Sequence, residues 1–207
     1  MTEIVYKKGA NDTIIVLEIP VDAKTNEDRK DISDPLYAMY RCDKVYVKRI
    51  YNQFTGEEQH EVMNLNNKYG KQKYEVGKKI TVEYDEDLNN VCSKGIHYFK
   101  TEEQAKMYKM RIDDYTGKYL RWYNNGQVKE KRDYVNGKIH GKRIAFTGGN
   151  IQRIFFEHNY IEGKQHGKSI LYCADESRVI HVRNYVNDEF ESEQRYYNPN
   201  KCKCVLL

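Results

Sequence analysis

The sequence predicts two structures in succession. Residues 1–112 read as an α+β domain, residues 115–197 as an all-β array of antiparallel hairpins in one elongated sheet, and residues 198–207 as a tail. Three observations carry this. The stretch Tyr134-Val-Asn-Gly137-Lys-Ile-His140-Gly141-Lys142 returns 26 residues later as Tyr160-Ile-Glu-Gly163-Lys-Gln-His166-Gly167-Lys168, and a degraded copy opens at Tyr185-Val-Asn-Asp188. Self-similarity at a fixed period marks a repeat architecture. Ahead of the repeats, β-type runs separated by turn residues lead into a single capped helical segment. The composition is polar, with mean hydropathy −0.91, yet it holds 19 tyrosines and 6 phenylalanines. Tyrosine buries its ring while its hydroxyl stays wet, which suits a thin structure with little interior.

Glu3-Ile-Val-Tyr6 and Thr13–Ile19 read as two strands split by the turn Gly9-Ala-Asn-Asp12, and Pro20 ends the second. Residues 22–35 are charged and irregular, an exposed loop. Val45 and Val47 alternate with Tyr46 and Lys48 as a half-buried strand requires. Thr55-Gly56-Glu57 reads as a hairpin turn, followed by a polar, asparagine-rich connection. Lys73–Gly77 and Lys79–Tyr84 form another strand region. Val91–Phe99 leads into the helix, where Thr101 and Gln104 make a capping box and Ala105, Tyr108 and Ile112 fall at helical spacing. Within residues 36–110, the stretches Tyr40-Arg-Cys-Asp-Lys-Val-Tyr-Val, Tyr74-Glu-Val-Gly-Lys and Cys92-Ser-Lys-Gly-Ile-His-Tyr-Phe resemble an uncharacterised domain of giant DNA viruses of the mimivirus kind. That resemblance implies a source, and a domain joined to repeat modules, without implying an activity.

In the repeats, Asn125-Gly126 and Asn136-Gly137 are strong hairpin signals, and Glu162-Gly163 places its glycine at the matching position. His140-Gly141 and His166-Gly167 mark a second bend where glycine allows close backbone approach. A second aromatic ladder of Phe146, Tyr172 and Tyr197 keeps step with Tyr134, Tyr160 and Tyr185. The run Tyr-x-x-Gly-Lys-x-His-Gly-Lys resembles MORN repeats. The resemblance implies successive hairpins in one twisted sheet, with roles in scaffolding, membrane attachment or lipid-head-group binding and no catalysis. Tyr134, Gly137, His140 and Gly141, with Tyr160, Gly163, His166 and Gly167, are then the residues that define the repeat.

Charge divides unevenly. Residues 1–114 carry 19 Lys/Arg against 21 Asp/Glu, and residues 115–207 carry 16 against 10. A basic arm favours acidic partners. Strand alternation places several basic side chains on one sheet face. The candidates for a surface facing an anionic partner are Arg121, Lys129, Lys131, Lys138, Lys142, Arg143, Lys164 and Lys168. The five cysteines are odd in number and lack CxxC spacing, which argues against a disulfide framework or zinc site and for a reducing compartment. Cys204-Val-Leu-Leu207 has the form of a prenylation box, with Cys202 as a palmitate candidate. Cys92 and His97, five residues apart with no further cluster, read as core residues beside a turn. Trp122 and the tyrosines read as packing residues before base-stacking ones.

These readings converge on a non-enzymatic adaptor that binds a protein partner through the repeats, with no cofactor and no metal. The alternative is a peripheral membrane protein, in the host cytoplasm or at the cytoplasmic face of membranes, which binds anionic lipids through its basic sheet and is prenylated at Cys204. An enzyme in residues 1–112 and a nucleic-acid binder rank below both. An open repeat sheet leaves edges, which also allows a homodimer by edge pairing.

Overall fold

The structure is a computed structural model that describes residues 2–66, 70–174 and 177–196. The chain forms two compact units, the first comprising Met1–Met110 with Asn124–Gln127, and the second Arg111–Tyr123 with Val128–Leu207. Every strand pairing is antiparallel.

The first unit is built on a six-stranded sheet. In chain order its strands are β1 (Glu3–Lys8), β2 (Thr13–Ile19), β3 (Met39–Cys42), β4 (Lys44–Asn52), β7 (Lys79–Thr81) and β8 (Ile96–Phe99). Their spatial order is β3-β8-β1-β2-β4-β7. A separate ribbon pairs β5 (Glu61–Asn66) with β6 (Gly70–Glu75). Period-2 alternation gives the sheet two apolar faces. Val5, Ile15, Leu17, Val45, Val47 and Tyr98 pack with Val62 and Tyr74 of the ribbon, while Ile14, Met39, Tyr51 and Phe99 pack with Ala105.

The expected α+β domain is corrected here, because this unit is nearly all β. Its one helix, α1, spans only Glu102–Met107. Thr101 accepts from the Gln104 amide, but the Gln104 side chain donates to the Tyr37 carbonyl instead of closing the capping box. The helix stops at Tyr108, whose backbone is extended, and Lys109 turns left-handed at φ 49°. Ile112 is therefore not on it. A helix this short is held by tertiary packing rather than propensity, and only Gln104 and Ala105 are buried. The asparagine-rich connection after residue 60 is also corrected, since it contains β5.

Residues 22–35 are not a solvated loop throughout. Asn26 and Arg29 are buried, and the Arg29 guanidinium donates to the carbonyls of Met39 and Asn124. Arg41 is the larger case. It is 0% exposed, yet it has no carboxylate partner. Its N–H groups donate to the carbonyls of Asp85, Asp87, Asn90 and Lys94, and its guanidinium lies 4.5 Å from the centre of the Tyr84 ring. Four of five donors are thus met by one loop, which converts a buried charge into the anchor of residues 84–94.

The second unit is a seven-stranded sheet in sequence order, of β9 (Gly117–Trp122), β10 (Val128–Val135), β11 (Lys138–Phe146), β12 (Ile154–Ile161), β13 (Lys164–Tyr172), β14 (Val179–Val186) and β15 (Glu189–Arg195). Two-residue turns close three of its hairpins. Both central residues have positive φ at Asn136-Gly137, Glu162-Gly163 and Asn187-Asp188, the type I′ geometry whose twist matches the strands. The Asn125-Gly126 hairpin differs. Trp122 pairs with Val128 across a five-residue loop, because the carbonyls of Asn124 and Asn125 are held by the amides of Met39, Ser33 and Asp34.

The His-Gly steps are bulges. Arg132 pairs with Arg143 and Tyr134 with Ile139, so His140-Gly141-Lys142 fills a place opposite one residue. The same shift recurs between His158/Ser169 and Tyr160/Gln165, opposite His166-Gly167-Lys168. Gly141 and Gly167 have φ of +82° and +81°, as an inserted residue at a bulge requires. Beyond each bulge, Gly141 pairs with Tyr160 and Gly167 with Tyr185, so the tyrosine of one unit lies opposite the glycine of the unit before it.

Two glycines of the repeat should therefore respond differently to substitution. A Cβ on Gly137 would stand 1.9 Å from the Asp113 carbonyl oxygen, whereas one on Gly167 meets nothing within 4 Å. Gly167→Ala should cost about 1 kcal/mol, for left-handed strain alone, and Gly167→Asn should recover most of it. Gly137→Ala should cost about 3 kcal/mol, because main chain must move. Urea unfolding followed by fluorescence of Trp122, the single tryptophan, reads both.

Candidate binding surface

Antiparallel pairing puts directly opposed residues on the same face, so the registers of the second sheet map its two surfaces. One cross-strand row begins Arg121–Glu130–Ala145 on β9 to β11. It continues Phe156–Leu171–His181 on β12 to β14 and ends at Arg195 on β15. A second row on that face runs Tyr119–Arg132–Arg143 and then His158–Ser169–Arg183, ending at Glu193. Tyr134, Tyr160 and Tyr185 follow in a third.

At one end of this face three arginines surround a single carboxylate. Glu130, 5% exposed, receives Arg143 Nε at 2.5 Å, Arg132 Nη2 at 2.5 Å and Arg121 Nη1 at 3.4 Å. Burial alone would raise the Glu130 pKa, but hydrogen bonds and charge from Arg132 and Arg143 outweigh it and hold the carboxyl below its usual range. Arg132 also donates to the Tyr134 hydroxyl at 3.0 Å. At the other end Glu193 receives Arg183 Nε at 2.8 Å and Arg195 Nε at 2.5 Å. Between the two groups, Phe156 stacks on His158 with ring centres 4.2 Å apart, and the Arg143 guanidinium lies 5.0 Å from the Phe156 ring centre. Burial, then the charge of Arg143, lowers the His158 pKa to about 4. At neutral pH the middle of this face is uncharged.

The eight basic residues expected on one surface do not share one. Arg121 and Arg143 belong to the face just described, together with Arg132, Arg183 and Arg195. By alternation from the paired positions, Lys131, Lys138, Lys142, Lys164 and Lys168 lie on the opposite face. There Lys142 pairs with Glu157 at 3.3 Å. Val135 and Ile161, 43% and 45% exposed, stand opposite Lys138 and Lys164 on that lysine face. Lys129 lies over the Tyr123 ring at 4.9 Å. The sequence reading missed Arg183 and Arg195 because the fourth unit lacks the His-Gly step. Their signal is the alternation Arg183-x-Tyr185, which matches Arg132-x-Tyr134.

The repeat histidines flank bulge glycines and show no convergent ligand set. His97 donates through Nε2 to the Val91 carbonyl, 2.9 Å away, while Cys92 is exposed. Cys173, by contrast, is disulfide-bonded, which departs from the expectation of unpaired cysteines. The prenylation box at Cys204 and the palmitate candidate Cys202 lie outside the described residues. Among the described residues, no three or more His, Cys, Asp or Glu side chains group as metal ligands, and no helix is long and apolar enough to cross a membrane.

Fold and surface together define a nearly all-β chain of two units, the second an open sheet with two chemically distinct faces. A family model, DUF5758, described as a family of unknown function, matches residues 2–105, and the chain belongs to that family. The match spans β1 to β8 and the first turn of α1, so the arginine-bearing sheet lies beyond it. No curated protein and no solved structure matches the chain.

Removing the buried carboxylate should be costly. Glu130→Gln leaves three guanidiniums without a counter-charge and should destabilise the sheet by on the order of 3 kcal/mol. The same change at the more exposed Glu193 should lower the urea midpoint much less. Urea midpoints read from Trp122 fluorescence compare the two. A second expectation concerns pH. An unfolded histidine titrates near its ordinary value of 6.5, whereas His158 does so at about 4, so the unfolded chain binds the extra proton first. Stability is therefore full above about pH 6.5 and is lost as pH falls toward 4. His158→Phe, which keeps the aromatic stack, should show a smaller loss between about pH 7 and pH 5, measured by thermal unfolding.

Proposed function

We propose that the chain is a non-enzymatic binding module whose second sheet recognises a protein partner through its arginine-bearing face. The observation that carries this is the segregation of arginine from lysine across that sheet. One face combines arginine with tyrosine, phenylalanine and neutral histidine, and the other carries the lysines, with Lys131 over Phe146 and Tyr172 donating to Glu157. Protein interfaces are enriched in arginine and aromatic residues and depleted in lysine, and their energetic anchors are chiefly Trp, Tyr and Arg. Aromatic rings and stacked guanidiniums supply contact area with few free rotors. The similarity of the run Tyr-x-x-Gly-Lys-x-His-Gly-Lys to MORN repeats supports a scaffolding role, and that of residues 36–110 to a giant-virus domain supports a host-cell setting.

The lysine face favours a second reading, peripheral attachment to an anionic membrane. It combines Lys138, Lys142, Lys164 and Lys168 with the exposed aliphatic side chains Val135 and Ile161, and basic residues near a bilayer each add about 1 kcal/mol.

One experiment separates the two. A photo-cross-linking residue is placed at position 160 on the arginine face or at position 168 on the lysine face, in the full chain in native lysate. Cross-links to protein from position 160 that Arg143→Glu abolishes are expected. Sedimentation with anionic vesicles that Lys142→Gln/Lys168→Gln removes, without protein cross-links at position 160, would replace the first reading with the second.

A further inference from the structure

We propose that the arginine face receives an acidic protein segment running across the strands, with one carboxylate-bearing position at each arginine group and an apolar side chain between them. The inference rests on the reading of this face as a protein-binding surface and adds the chemistry of the partner.

Charge comes first. Three guanidiniums share Glu130 and two share Glu193, so both groups keep a positive excess. Each guanidinium presents five donors, far more than one carboxylate absorbs. The outermost arginines of the first row are also the most exposed of the five. Arg121 is 47% exposed and 3.4 Å from Glu130, and Arg195 is 71% exposed. Planar guanidiniums select carboxylates through paired, parallel hydrogen bonds.

Spacing comes second. Four strand steps separate Arg132 on β10 from Arg183 on β14 and six separate Arg121 on β9 from Arg195 on β15, roughly 19 Å and roughly 29 Å at the usual distance between neighbouring strands. An extended chain covers those spans in about six and about nine residues. The strands between the two groups supply the third observation. In these rows β12 and β13 bear Phe156, His158, Leu171 and Ser169, an uncharged band suited to an apolar side chain at the midpoint of the segment. A bilayer is a poorer occupant of this face, because the lysines and exposed aliphatic residues stand on the other one. The Glu193 group is left with one net positive charge, which a single carboxylate balances.

The test selects displayed random peptides of about 16 residues, long enough to span both groups, on the immobilised full chain. The expected winners carry Asp or Glu at two positions about six to nine residues apart, with Phe, Leu, Ile or Val between them. Synthetic copies should bind about tenfold or more weakly to Arg121→Gln/Arg195→Gln, recover in part with Arg121→Lys/Arg195→Lys, and lose affinity as salt rises. Lys142→Gln/Lys168→Gln should bind them unchanged, and equal melting temperatures would show that the arginine variants remain folded. Winners without acidic enrichment, or winners indifferent to the arginine substitutions, overturn the acidic partner while leaving a protein-binding sheet. Selection of no peptide overturns it as well, and cross-linking at position 160 then decides separately whether the protein-binding reading survives.

Discussion

The surface of the second sheet depends on register. Alternation along each strand is strict, so a slip of one residue exchanges every side chain between faces. Arginines and lysines stay apart only while seven strands hold their pairing, and two devices fix it. The type I′ turns at Asn136-Gly137, Glu162-Gly163 and Asn187-Asp188 allow no spare residue in the loop. The bulges at Gly141 and Gly167 then insert a fixed surplus at the same point of alternate strands. Because the surplus recurs in each complete unit, the rows realign from strand to strand instead of drifting.

The same logic explains how so thin a sheet is stable. Among the described residues few of its side chains are fully buried, and its one apolar cluster is Cys173 with Ile180 and Leu171. Stability therefore rests on hydrogen-bonded ladders, on cross-strand pairs such as Tyr119 with Tyr134, and on charge groups that satisfy one another around Glu130. The first unit solves a different problem. It has apolar residues on both faces of its sheet but long connections, and it holds those with buried arginines. Arg41 gathers residues 84–94 by their carbonyls, and Arg29 ties its own loop to the carbonyls of Met39 and Asn124.

Periodic features were legible in the sequence and context-dependent ones were not. Tyr134, Gly137, His140 and Gly141 recur with their counterparts, so the turns and bends could be placed before any coordinates. The face of a given lysine could not, because alternation separates the two faces of one strand and only the pairing register tells which of them continues on the next. Helix length failed for a related reason. The spacing of Ala105, Tyr108 and Ile112 fits a helix, but the backbone is already extended at Tyr108, whose ring packs on Phe99, and it turns left-handed at Lys109. The role of Arg41 was illegible because its partners are carbonyls, which carry no residue identity. Arg183 and Arg195 escaped notice because attention followed the intact His-Gly runs.

Each repeat unit contributes two strands, an even number, and that parity has a consequence for how such a chain can change. Gain or loss of one whole unit would return the alternation to its starting phase, leaving every arginine and lysine on its present side. Only the length of the rows would change, by roughly 10 Å per unit. Point substitution alters what the sheet recognises at a given place, whereas duplication alters how far its recognition reaches. The two can vary independently, so reach and specificity are separable traits in this architecture.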